Sequence, residues 1–163
     1  YNALAMHAVI EKGIPSGFNS VFKRSGFFRF RKISIDGQRM SLSAYENEVI
    51  RPLDEPRVHF ALNCMVKDCP RLPQDPFLAS DLDVQLTLAA REFFNQSKHL
   101  VRMPEEKRVA VSKILDFYTE DFASSGESRD LIHYINQFVN EPIPADWAVE
   151  FKNYDWTINQ QPE

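Results

Sequence analysis

The run Arg57-Val-His-Phe-Ala-Leu-Asn-Cys-Met-Val-Lys-Asp-Cys-Pro-Arg-Leu-Pro73 gathers His59, Cys64 and Cys69, with four residues between each neighbouring pair. The chain has two cysteines and four histidines, so half of this inventory lies in one segment. Three chemistries are open to such a set. A thiolate could act as a nucleophile once a base or a positive field lowers its pKa from about 8.5. The two cysteines could instead bridge, as a clamp on a short loop or as a redox pair. Or the three side chains could hold a metal, with Glu46 or Asp68 completing the set. The metal reading is the weakest, because structural zinc sites usually show two close ligand pairs and only one exists here. A free Cys64 buried as a small hydrophobe is the bland alternative to all three.

The nucleophile reading has a geometric difficulty. Val58 to Asn63 is a short apolar run, read here as a central buried strand. On a strand, residues five apart face opposite sides, roughly 16 Å apart. His59 then serves Cys64 only if the chain folds back sharply after Asn63. Otherwise the base comes from another element, His7 or His133, and Lys67 and Arg71 lower the thiol pKa by charge alone. Asn63 could stabilise an oxyanion. Asp116 is a candidate orienting acid in a helix that also carries Tyr118 and Asp121.

Other elements must position these groups. The pattern predicts a helix over residues 1–12, ended by Gly13. A loop to Gly26 follows, with one helical turn at 20–24. Residues 28–35 and 39–42 read as strands joined at Asp36-Gly37, a strong hairpin signal. Ser43-Ala-Tyr-Glu46 reads as a capping box opening a helix that Pro52 stops. Pro70, Pro73 and Pro76 forbid a regular element over 64–76. A long helix is expected over 80–94, strands at 98–103 and 108–111, and a helix from Ser112 to Phe122. A further helix over 128–139 and a last strand over 151–158 complete the chain. The expected fold is α+β: one domain with a small, mostly antiparallel sheet flanked by several helices.

Composition narrows the function. With 163 residues the chain can bury a real core, and thirteen Phe make that core aromatic. No apolar run approaches the ~20 residues of a membrane span. The net charge of −4 gives no global footprint for nucleic acid. Lys23, Arg24, Arg29, Arg31 and Lys32 form a local basic cluster, read as a solvated face. The five glycines are scattered singly, so no phosphate loop of the Rossmann or Walker type exists and no cofactor is expected. The opening helix has no N-cap residue before it, which suggests that an N-terminal portion precedes Tyr1.

Several segments together resemble the DUF547 family, a domain of unknown function. They are Tyr1-Asn-Ala-Leu, Gly13-Ile-Pro-Ser, Leu42-Ser-x-x-Glu-Asn-Glu-x-Ile-Arg-Pro52, Arg57 to Cys64, Cys69-Pro70 and Tyr154-Asp-Trp-Thr-Ile-Asn159. The resemblance covers most of residues 1–163 and implies bacterial or plant relatives, many of the bacterial ones exported to the periplasm. It also implies a shared site at Glu46, His59, Asn63, Cys64, Cys69 and Pro70. The leading expectation is a thiol-dependent hydrolase or transferase acting on a peptide-like or thiol substrate. In it Cys64, His59, Asn63 and Glu46 are catalytic, and Cys69, Lys67 and Arg71 bind. The alternative is a non-catalytic module that engages a protein partner through a structural Cys-Pro loop.

Overall fold

The computed structural model describes residues 1–123 and 125–160. Its first sheet is the expected hairpin. Strand β1 (Ile33–Ile35) pairs antiparallel with β2 (Gln38–Met40), Ile35 opposite Gln38. Asp36 and Gly37 both adopt positive φ, 48° and 75°, as a two-residue turn matching the strand twist requires. The second sheet has the order β3-β4-β5. Strands β3 (Leu100–Met103) and β4 (Arg108–Val111) are antiparallel, and β4 and β5 (Ala148–Phe151) are parallel. The fold is therefore α+β, with two of the three strand pairings antiparallel.

Two apolar cores form. In one, β4 packs beneath α4 (Leu82–Phe94), α5 (Ile114–Phe117), α6 (Thr119–Phe122) and α7 (Ser128–Ile135), around Phe60, Phe94, Leu115 and Ile135. The other joins α1 (Asn2–Glu11) to Phe18, Phe27, Leu42, Val66 and Ile158. Tyr154 packs against both. No helix among the described residues is long and apolar enough to cross a membrane.

Four local expectations are corrected. Residues 58–63 are not a strand: Pro56–Phe60 is a 3₁₀ turn. Pro56 presets φ at its first position, and the Glu55 carboxylate caps it by accepting the Arg57 N–H at 3.1 Å. A short apolar run cannot by itself separate a strand from a buried helical turn. Residues 28–30 are also helical, because Val21–Arg24 continues as a π-helical stretch, Ser25–Phe30. No capping box forms at Ser43, because the helix starts two residues earlier. Ser41, not Ser43, caps α3 (Leu42–Ala44), its Oγ accepting the Ala44 N–H at 3.1 Å. That helix runs on through a π-helical stretch, Tyr45–Ile50, and a 3₁₀ turn, Arg51–Leu53, which frees the Glu46 carboxylate for other partners. Finally, the strand near the end of the chain is Ala148–Phe151, and the described residues beyond it form only isolated bridges, Thr157 to Gly17 and Ile158 to Val66. Gly17 is obligatory there, since a Cβ would lie 2.8 Å from the Trp156 carbonyl oxygen.

Candidate functional site

A cleft of about 820 Å³ opens where the two cores meet. The π-helical stretches contribute Phe28 and Glu46 to its wall, the 3₁₀ turn contributes His59, and the following loop contributes Cys64, Cys69 and Pro70. The far wall is Phe117, Tyr118, Tyr154 and Trp156. The turn that replaces the expected strand places His59 and Cys64 on the walls of one cleft.

His59 is held by a carboxylate from the far end of the fold. Its Nε2 lies 2.7 Å from Asp121 Oδ2, and its side chain is 2% exposed. Burial pulls the His59 pKa below its usual value, against the upward pull of Asp121. The ring is therefore neutral at neutral pH. A carboxylate only accepts, so the proton sits on Nε2 and Nδ1 keeps the lone pair. Asp121 is braced in turn: Arg51 Nε and Nη2 donate to its two oxygens, each at 2.7 Å. This two-pronged bond, ahead of the His59 contact, keeps the Asp121 carboxyl below the ordinary range. Arg51 is fixed by Asn47 Oδ1 and Glu120 Oε1, both at 2.7 Å.

Tyr118 stacks on the His59 ring, centroids 4.0 Å apart. Its hydroxyl donates to Glu46 Oε1 at 2.6 Å, and Tyr1 donates to Glu46 Oε2 at 3.0 Å. Burial raises both tyrosines well above their usual pKa, so both remain donors. Glu46 thus anchors the aromatic ring that backs His59.

Cys64 and Cys69 form a disulfide, with Cα atoms 6.1 Å apart. The expectation of a free Cys64 nucleophile is corrected for this state. A loop of four intervening residues can close because Met65 takes a left-handed turn, φ 67°. Asn63 secures that loop rather than the cleft. Its Nδ2 donates to the Pro70 carbonyl and its Oδ1 accepts the Met65 N–H, both at 2.6 Å. The sulfurs differ in their surroundings. Cys69 is 2% exposed, and its Sγ accepts the Cys64 N–H at 3.0 Å and lies 3.4 Å from the Tyr154 hydroxyl. Cys64 is half-buried, and its Sγ is 3.7 Å from the same hydroxyl.

Lys67 and Arg71 do not line this cleft; Lys67 faces Asp155 at 4.0 Å and Arg71 is paired with Glu92. The cations that do line it are Arg24, Arg29 and Lys113. Asp116 pairs with Lys113 at 2.9 Å, and Asp121 takes the orienting position instead. Among the described residues, no group of three His, Cys, Asp or Glu side chains is placed to hold a metal ion.

Sequence reasoning passed over Arg51, Tyr154 and the role of Asp121. Arg51 and Asp121 are 70 residues apart, and no spacing rule joins them. The Tyr154-Asp-Trp signature was the available signal for Tyr154. In comparison with known proteins, the family described as "Protein of unknown function, DUF547" matches residues 1–94. No curated protein and no solved structure matches the chain.

Proposed function

The chain belongs to the DUF547 family, and from that premise we propose a thiol-dependent hydrolase or transferase that acts on a peptide-like or thiol substrate once its bridge is reduced. One observation carries the reading: the Arg51–Asp121–His59 chain of hydrogen bonds ends on the same cleft wall as Cys64. A neutral imidazole oriented by a carboxylate, facing a cleft that also holds a cysteine, can activate that cysteine as a nucleophile. The Cys64 thiol gives its proton to His59 Nδ1, and the thiolate attacks an acyl carbon. The carbon–sulfur bond forms as the bond to the leaving amine or alcohol breaks, and that group takes the proton from His59. Water or an acceptor thiol then discharges the thioester, with His59 as base. Glu46 positions Tyr118 behind the ring and is not itself a proton carrier. The test is alkylation of the reduced protein with iodoacetamide across a pH series, followed by acylation with p-nitrophenyl acetate. A Cys64 thiol titrating well below 8, and a burst of acylation mapped to Cys64, are expected. Titration near 8.5 or above, with no Cys64 acyl adduct, refutes the proposal.

A second reading has its own support. Asn63 and the bridge both tie the loop over 64–70, and Val66 of that loop pairs with Ile158. A clamp of this kind suits a non-catalytic interaction module. In that case reduction lowers stability and reveals no reactive thiol.

A further inference from the structure

The two sulfurs of the bridge are not equivalent, and their inequality has a direction. Cys69 is buried and carries two donors, the Cys64 N–H at 3.0 Å and the Tyr154 hydroxyl at 3.4 Å. Cys64 is the more exposed of the pair and lies against the cleft. Donors on a disulfide sulfur stabilise little, but they strengthen considerably when that sulfur becomes a thiolate. In thiol–disulfide exchange the attacked sulfur must be reachable and the leaving sulfur must bear charge well. Both requirements favour attack at Cys64 with Cys69 leaving: in the reverse direction the attacked sulfur belongs to a residue 2% exposed, and the leaving Cys64 has only the more distant Tyr154 hydroxyl, at 3.7 Å.

We infer that the Cys64–Cys69 bridge is a thiol–disulfide exchange site, opened at Cys64 by a carboxylate-bearing thiol that enters the cleft, with Cys69 as the resolving thiolate. The incoming thiolate forms a sulfur–sulfur bond to Cys64 Sγ while the Cys64–Cys69 bond breaks. The electron pair goes to Cys69 Sγ, where the Cys64 N–H and the Tyr154 hydroxyl receive it. A second thiolate then attacks the substrate sulfur of the mixed disulfide. The products are the oxidised substrate disulfide and a protein dithiol, so two substrate thiols supply the two electrons. Run backwards, the Cys69 thiolate expels a thiol from Cys64 and restores the bridge. Because the Tyr154 hydroxyl is buried and its pKa is raised, it stays protonated and available as the donor.

The preference for a carboxylate comes from the walls. Arg24 and Arg29 line the cleft, and the Arg24 guanidinium lies 4.5 Å over the Trp156 ring. Lys113 is occupied by Asp116. Glu46 is the one carboxylate among the described residues of the wall, and both its oxygens already accept tyrosine hydroxyls. A negatively charged thiol is therefore drawn in, and a positively charged one is not.

The exchange is independent of acyl transfer, and one experiment separates them. The oxidised protein is incubated in separate arms with mercaptoacetate and with cysteamine, quenched in acid and mapped by mass spectrometry. Rates are normalised to each reagent's thiolate concentration and to its rate on an uncharged small disulfide, which removes the intrinsic difference in nucleophilicity. The adducts are expected on Cys64, with mercaptoacetate at least about 3-fold faster than cysteamine, and with Tyr154→Phe slowing opening by a similar factor or more. Adducts divided evenly between the cysteines, or found on Cys69, overturn the assignment. So does a bridge that opens only in urea. Equal rates for the two thiols overturn the substrate class. Should Tyr154→Phe fail to fold, the adduct map on the unmodified protein decides alone. Exchange at Cys64 without acylation of the reduced protein leaves this site standing and removes the acyl-transfer reading; acylation without exchange does the opposite.

Discussion

His99 offers a prediction whose size can be worked out. It is 1% exposed, and its ring stacks on Phe93 with centroids 3.8 Å apart. Burial first, then the charges of Lys98 and Lys152, lower its pKa from 6.5 to about 3. Below pH 6.5 the unfolded chain therefore binds a proton that the folded chain refuses. The stabilisation is fully present above 6.5 and is lost as pH falls toward the native value. At pH 5 the gap spans roughly 1.5 pH units, and at 1.36 kcal/mol per unit the loss is about 2 kcal/mol. That figure is almost the same for any native pKa below 4. In His99→Phe this component vanishes while an aromatic ring still faces Phe93. Urea unfolding followed by circular dichroism, at pH 7 and pH 5, measures it. The wild type should lose about 2 kcal/mol more than His99→Phe between the two pH values. His59, Asp121, Glu55 and Asp155 all have lowered pKa values and push in the same direction, but they are common to both proteins and cancel. Any packing cost of the substitution is present at both pH values and cancels too. PH dependences that agree within about 0.5 kcal/mol would refute the account of His99 as a neutral buried ring.

Two further substitutions probe the framework. Asp121→Asn removes the charge that Arg51 grips and weakens the His59 acceptor. A destabilisation of about 2–4 kcal/mol in urea unfolding is expected, and the His59 ring, followed by NMR, should titrate lower than in the parent. An unchanged His59 titration would mean that the 2.7 Å contact carries no electrostatic weight. Gly17→Ala puts a Cβ 2.8 Å from the Trp156 carbonyl and 2.9 Å from Thr157 Cα, both backbone atoms that cannot swing aside. A loss of roughly 1–3 kcal/mol is expected by thermal melting, and a neutral result would show that the 156–157 segment can move away.

The parts of the fold that were legible in the sequence are those where local chemistry decides. Asp36-Gly37 dictates its turn whatever packs around it, and Leu82–Phe94 carries an apolar stripe long enough to be unambiguous. Residues 58–63 are not decided by their own pattern, because a six-residue run with four apolar positions fits two elements equally well. The decision lay with Glu55 and Pro56, just outside the run. Glu46 was assigned to a cap because Ser43 stands three residues before it. Ser41 competes for the same helix start and wins, and two tyrosines far apart in sequence claim the carboxylate. For the site, the residue types singled out Cys64, His59 and Cys69, which line one cleft. Their partners Asp121 and Tyr154 come from 62 and 90 residues away, and only tertiary packing assigns them.

That last separation sets a timetable for the cysteines. Tyr154 follows Cys64 by 90 residues, so at about 5–20 residues per second the ribosome delivers it roughly 5–20 s later. During that interval neither sulfur has its Tyr154 hydroxyl neighbour. Pairing of Cys64 with Cys69 in the growing polypeptide then rests on the turn at Met65 and on the surrounding medium, and the part of the directional bias that the Tyr154 hydroxyl supplies is imposed only after synthesis has passed that residue.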